Sequence, residues 1–73
     1  MKRQEIVEAF IEININKINI SERDKKIAQL YLKQVSIKEI AEEFNLSKSR
    51  IGHIMSKAAR FANIYRKHNK DTV

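Results

Sequence analysis

The residues of this chain most able to do chemistry are cations at the predicted start of a helix. Lys48, Ser49 and Arg50 follow Ser47, a residue type that favours the N-cap position, so they would form the first helical turn. Acidic side chains normally stand there, because they complement the positive end of the helix dipole. With none present, backbone amides and basic side chains remain available to an external anion such as a phosphate. The pattern therefore predicts anion recognition.

The positive charge of the chain is concentrated towards its end. Residues 1–43 contain eight basic and eight acidic side chains, whereas residues 44–70 contain seven basic and no acidic ones. With Asp71 as the one acid beyond them, the formal net charge is +6. The seven are Lys48, Arg50, Lys57, Arg60, Arg66, Lys67 and Lys70. A run of charge on an isolated helix is often only a solvated face. On the second helix of a closely joined pair, it predicts a nucleic-acid-binding surface.

Residues 36–57 predict a helix, a three-residue turn and a second helix. Ser36 is a fitting N-cap, and Glu39 stands at the capping-box position. Asn45 tolerates the left-handed backbone of a tight helix end. Apolar residues at steps of three and four give each helix an inner face, which comprises Ile40, Ala41 and Phe44 on the first and Ile51, Ile54, Met55 and Ala58 on the second. This is the pattern of a helix-turn-helix.

Three further segments must position that pair. Residues 2–12 have the spacing of an amphipathic helix, and residues 22–34, capped by Ser21, predict another, in which Tyr31 packs in the core and does not stack on a base. The last helix should run from residue 48 to residue 68, with residues 69–73 as a frayed tail and the side chain of His68 exposed. Its apolar stripe continues through Phe61 and Tyr65, which need cover from the first helix or from a second copy of the chain.

Residues 11–20 have a different period. Isoleucine alternates with polar residues at positions 11, 13 and 15 and again at 18 and 20, which is strand spacing. One interpretation is a loop whose isoleucines anchor to the helices. The other is a β-ribbon formed with a second copy, which together with Phe61 and Tyr65 would create a homodimer.

Composition narrows the class of protein. The chain has 73 residues, no Pro, one Gly and no Cys, so we expect one all-α domain, a small helical bundle without disulfides or thiolate metal sites. No signal peptide or membrane span is visible, and we expect a cytoplasmic protein without a membrane partner. His53 and His68 lack metal-ligand spacing, and Glu39, Glu42 and Glu43 look like a capping acid and solvated acids. We therefore expect no enzyme activity, no metal and no cofactor.

The stretch from Ser21 to Ile64 resembles region four of bacterial RNA polymerase sigma factors. The most distinctive part is the run Arg50-Ile51-x-x-Ile54-x-x-Lys57-Ala58-x-Arg60. Effector domains of the LuxR class, which share the Lys-Glu-Ile-Ala helix, are the second choice. The resemblance implies a domain that recognises the upstream promoter element and docks on a mobile flap of RNA polymerase. Where Ser49 and Gly52 stand, the family often has Glu and Arg, so the usual promoter sequence should not be assumed as the target.

The sequence thus predicts sequence-specific binding of double-stranded DNA by residues 48–60 in the major groove. The residues expected to read bases are Lys48, Ser49 and His53, and the resemblance to sigma region four implies that Gly52 also faces the bases. The residues expected to contact phosphates are Ser36, Lys38, Ser47, Arg50, Lys57 and Arg60. The alternative is a module that binds RNA polymerase or another protein and has little affinity for DNA alone, using the stripe of Phe61 and Tyr65.

Overall fold

The last helix is the element against which the others pack. The computed structural model describes residues 2–71, with residues 68–71 described by their backbone alone. Within that range the chain forms α1 (Arg3–Ala9), α2 (Glu22–Leu32), α3 (Ile37–Phe44) and α4 (Lys48–Asp71), with a short 3₁₀ helix at Ile15–Lys17 and no strand. Helices α1, α2 and α3 each pack against α4. The predicted all-α bundle with a long C-terminal helix is confirmed.

Serine side chains begin three of these helices at the predicted positions. Each hydroxyl oxygen accepts a hydrogen bond from the backbone N–H three residues later, at 3.2 Å for Ser21, 3.1 Å for Ser36 and 3.0 Å for Ser47. A cap of this kind typically contributes about 1 kcal/mol, because it satisfies an amide that has no partner inside the helix. The starts of α2, α3 and α4 are therefore fixed by local sequence.

Left-handed residues follow the first three helices, and none is a glycine. The φ angle is 61° at Glu12, 69° at Gln34 and 55° at Asn45. After α2 and α3, the amide of the next residue donates to the carbonyl five residues earlier, at 3.1 Å and 2.9 Å respectively. The left-handed conformation predicted for Asn45 is confirmed. The same closure at Gln34 ends α2 at Leu32, two residues before the predicted boundary.

The first helix is also shorter than predicted. It ends at Ala9, and residues 10–12 form turns in place of a continuing helix. Arg66, near the other end of the chain, binds this end: its guanidinium donates to the backbone carbonyls of Glu8, Ala9 and Ile11 at 3.0, 3.1 and 2.7 Å. The carbonyls of Ala9 and Ile11, which have no backbone donor, are thereby satisfied, and the carbonyl of Glu8 gains a second donor beside the Ile11 amide. Helix α1 is the element that lies over the later part of α4, which was one of the two predicted alternatives.

Residues 11–20 form an anchored loop in this chain. Ile15 and Ile18 are buried, Ile13 and Ile20 are half-buried, and Ile11 is exposed. A strand with period two would place the side chains at 11, 13 and 15 on one face and those at 18 and 20 on the other. The 3₁₀ turn, which has three residues per turn, instead directs both Ile15 and Ile18 into the core. The loop interpretation is confirmed here, and the homodimer remains a prediction.

The core lies between α4 and the other helices. Its largest fully buried side chains are Ile27, Ile40, Ile51 and Met55, and each contributes roughly 1.5–3 kcal/mol through removal from water. Tyr31 is buried, as predicted. The Arg3 guanidinium lies 4.2 Å from the centre of its ring and donates to the carbonyls of Tyr31 and Val35, both at 3.1 Å. Burial raises the pKa of the Tyr31 phenol above its ordinary value, and the Arg3 charge partly opposes that shift.

The C-terminal end of α4 is longer than predicted. The backbone of α4 remains helical through residues 69–71, where the sequence predicted fraying. The side chain of His68, which we expected to be exposed, and residues 72 and 73 of the predicted tail fall outside the described residues.

Candidate nucleic-acid interface

Helices α3 and α4 are held at a fixed angle by the turn between them. The turn consists of Asn45, Leu46 and Ser47. The left-handed Asn45 reverses the chain, half-buried Leu46 packs against the core, and Ser47 caps α4. Buried residues of both helices belong to the same core cluster, so α4 cannot rotate about its axis without exposing apolar surface. The packing therefore determines which face of α4 meets the solvent.

The face of α4 opposite the core is polar and basic. The buried face consists of Ile51, Ile54, Met55, Ala58, Ala59 and Ala62. The residues at the centre of the opposite face are Ser49, His53, Lys57 and Arg60, which we call the basic ridge; all four are exposed. They follow one another at steps of four, four and three residues and so lie along one side of a helix. At 1.5 Å per residue the ridge is about 17 Å long.

The first turn of α4 adds two further cations beside this ridge. Lys48 and Arg50 are exposed, and no acidic residue lies in that turn. The two side-chain ion pairs among the described residues are Arg23 with Asp24 and Lys25 with Glu22, both within α2. Among the described side chains, the cations at the start of α4 and on the ridge therefore have no carboxylate partner that would compete with an external anion.

A shallow depression runs along the second half of the basic ridge. It is lined by His53, Ser56, Lys57 and Arg60. Ser56 is half-buried and was not among the predicted site residues, because it lies at the edge of the apolar stripe. The available signal was its position three residues after His53 and four before Arg60, which places it on the same side of α4. The depression thus combines two cations with a hydroxyl and an imidazole.

The structure leaves a gap at Gly52. This half-buried residue lies in the second turn of α4, and a Cβ atom added there would meet nothing within 4 Å. The glycine is therefore not required by packing inside the chain. A ligand could approach the helix backbone more closely here than at any neighbouring side chain.

The remaining predicted phosphate contacts do not belong to the ridge. Ser36 and Lys38 are exposed at the start of α3, on a different helix. The hydroxyls of Ser36 and Ser47 accept backbone hydrogen bonds as caps, which leaves each free to donate its own hydrogen. The structure thus groups the predicted residues into the α3 start, the α4 first turn and the ridge.

Two arginines have structural partners that the sequence did not reveal. Arg66 was counted with the basic excess, but its guanidinium donates to three carbonyls at the end of α1. Arg3 has the same role at the end of α2. Neither is a first choice for contact with an external anion.

The acidic and histidine side chains of the described residues do not form a metal site. No group of three or more His, Cys, Asp or Glu side chains is arranged to hold a metal ion. Glu39, Glu42 and Glu43 are exposed on α3. No helix in the described part of the chain is both long and apolar enough to cross a membrane.

Comparison of the chain with protein-family models, with curated proteins and with solved structures finds no match. The likeness to sigma region four therefore rests on the residues quoted for it and remains a prediction.

Proposed function

We propose that this chain binds double-stranded DNA sequence-specifically, as a small transcription regulator that resembles an isolated sigma region four. The observation that carries this proposal is the contrast between the two faces of α4. One face is buried against the other helices, while the other presents cations along about 17 Å with no carboxylate among residues 48–67. A helix of this width and charge fits the major groove, and flanking cations grip the phosphates on either side.

The proposed contacts divide by role. Lys48, Ser49 and His53 are exposed near the start of α4, where helix-turn-helix proteins meet base edges, and the gap at Gly52 lies among them. The phosphate contacts are Ser36, Lys38, Ser47, Arg50, Lys57 and Arg60. Phosphate contacts position the protein on the duplex without specifying a sequence.

The decisive experiment measures fluorescence anisotropy of labelled random duplex DNA with the purified chain over a range of salt concentrations. If about six phosphates are neutralised, the logarithm of the association constant should fall with the logarithm of salt concentration at a slope near −5. Lys57→Ala should weaken binding to all sequences alike and reduce that slope by about 1. Substitution of Ser49 should instead change which sequence is preferred.

A matched control removes the same charge elsewhere. Lys17 is exposed on the 3₁₀ helix, outside α3 and α4, so Lys17→Ala should have a much smaller effect than Lys57→Ala. If Lys48→Ala leaves DNA binding untouched, the assignment of the groove-facing surface is wrong. If the two Lys→Ala variants at positions 17 and 57 are equivalent, binding is only a response to net charge.

A second function is favoured by a different observation. Ile11 and Ile64 are 55% and 53% exposed, and half-buried Tyr65 lines a depression with Ile11 and Ile13. Such apolar surface suits docking of a protein, so the alternative is a module that binds RNA polymerase or another partner with little DNA binding alone. The same anisotropy titration separates the two, because absence of binding at low salt would favour the alternative. Sedimentation at high protein concentration tests the predicted homodimer.

A further inference from the structure

The exposed side of α4 offers mainly hydrogen-bond donors. Between residues 48 and 62, all of which the structure describes, there is no Asn, Gln, Asp or Glu. The polar side chains that reach the surface there are Lys48, Ser49, Arg50, His53, Ser56, Lys57 and Arg60. Lys and Arg can only donate, whereas Ser and His can both donate and accept. No side chain in this set is an acceptor alone, and none has the paired donor and acceptor of an amide.

The four bases present different donors and acceptors in the major groove, so they differ in how well they match such a surface. Guanine presents two neighbouring acceptors, N7 and O6, whereas thymine presents a single acceptor, O4, beside its methyl group. Cytosine presents an amino donor, and adenine presents one donor beside one acceptor. Adenine is read best by Asn or Gln, and cytosine by Asp or Glu. Those four residue types are the ones missing from this part of α4. Its chemistry therefore matches guanine better than it matches the other bases.

The spacing of the donors indicates how far apart the guanines should be. Lys48 and His53 are five residues apart, which corresponds to about 7.5 Å along the helix axis and about 140° around it. Both side chains can therefore reach base edges only at the N-terminal end of α4, where the two flanks of a recognition helix meet the groove. Successive base pairs rise about 3.4 Å along each strand, so the two side chains are about two base-pair steps apart if α4 follows the groove. Gly52, whose missing side chain leaves open space, lies between them in the sequence and lets base edges come close to the helix.

We infer that α4 selects duplex sites with two guanines within about two base-pair steps, and that Lys48 is the main determinant of this preference. The inference rests on the proposed DNA-binding function and adds the class of target sequence. The Lys48 ammonium donates to N7 and O6 of one guanine, and the His53 ring N–H donates to N7 of the other. Ser49, which can donate or accept, tolerates either partner at the intervening pair.

The test begins with selection from a random duplex library by the full chain and by Lys48→Ala. The sequences enriched by the unaltered chain should contain the guanine pair, and Lys48→Ala should lose the preference for one of the two. Each selected guanine is then replaced by 7-deazaguanine, which still pairs with cytosine but lacks the N7 acceptor. Affinity should fall roughly five- to hundredfold, the range expected for loss of one specific base contact.

Two controls identify the cause of any loss. Replacement of adenines by 7-deazaadenine in the same duplex should change affinity little. Lys57→Ala should weaken the parent and the 7-deazaguanine duplex by the same factor, because it acts on phosphates. Lys48 is exposed and makes no side-chain hydrogen bond among the described residues, so its replacement leaves the fold intact, which circular dichroism verifies.

The outcomes separate the inference from the function on which it rests. Enriched sequences without guanine, or equal affinity for duplexes with guanine and with 7-deazaguanine, overturn the inference while salt-dependent DNA binding persists. Absence of binding to any duplex at low salt overturns both. A guanine preference that Lys48→Ala retains in full would contradict the role assigned to Lys48.

Discussion

Replacement of Gly52 by alanine is expected to stabilise the fold and to weaken DNA binding. In a helix interior, glycine is about 1 kcal/mol less favourable than alanine, because it has more backbone freedom to lose on folding. The added Cβ would meet nothing within 4 Å, so no steric cost offsets that gain. For a domain of this size, about 1 kcal/mol corresponds to a rise in Tm of roughly 4–8 °C.

The same substitution should lower the affinity for DNA, because the added methyl group would fill the gap beside Lys48 and Ser49. If a base edge occupies that gap in the complex, it must move away, and its contacts with both side chains lengthen. We expect specific affinity to fall by about tenfold, or about 1.4 kcal/mol. A loss of binding in a more stable protein cannot be attributed to unfolding.

The assay combines thermal unfolding followed by circular dichroism with anisotropy titration of the selected duplex. Asn63→Ala is the matched control, because Asn63 is exposed on α4 about three turns later. Alanine should stabilise that position through helix propensity too, by at most about 0.7 kcal/mol, without changing DNA affinity. Unchanged affinity in Gly52→Ala would show that the gap does not face DNA. A lower Tm would refute the inference that the site is open.

Three other substitutions test the fold. Arg66→Gln should lower the free energy of unfolding by roughly 1–2 kcal/mol in urea titrations, because it weakens charged hydrogen bonds to the end of α1. The same loss in Lys67→Gln, a substitution at an exposed neighbour, would contradict the role of Arg66 in holding that end. Gln34→Gly should raise the free energy of unfolding by roughly 0.5–1 kcal/mol in the same assay, because glycine adopts a φ of 69° without strain. A lower free energy of unfolding would mean that the Gln34 side chain contributes more stability than the strain at this position costs. Burial raises the pKa of Tyr31 above 10.0, so the folded chain keeps the phenolic proton at a pH where the unfolded chain releases it. Stability should therefore fall as pH rises through and above about 10, and urea titrations from pH 8 to 11 should show a smaller fall in Tyr31→Phe; equal slopes would exclude Tyr31 as the cause.

Local signals in the sequence predicted a large part of the fold. The caps at Ser21, Ser36 and Ser47 and the left-handed Asn45 depend on residues within one turn, so the sequence specifies them without knowledge of the tertiary structure. The apolar spacing of α4 likewise predicted which side chains would be exposed. Ser49 and His53 are indeed on the open face, as the DNA-binding interpretation requires, while their roles remain predictions.

Long-range contacts account for what the sequence did not predict. Arg3 and Arg66 donate to carbonyls between 28 and 58 positions away, and no local spacing reveals such partners. The ends of α1 and α2 were wrong for a related reason, since Glu12 and Gln34 adopt a left-handed conformation that neither residue type favours by itself. Ser56 was missed because a half-buried hydroxyl carries no charge to mark it, although its spacing from His53 and Arg60 places it on the same side of α4.

The bonds from Arg66 to α1 also determine the order in which the chain can complete its fold. The carbonyls of Ala9 and Ile11 accept from a donor that lies 57 and 55 residues later, so this corner closes only after position 66 has left the ribosome. Until then Ile6 and Phe10, buried in the finished structure, lack the later part of α4 as cover. Truncation ahead of Arg66 would consequently loosen the helix at the opposite terminus before it disturbed the site of the cut.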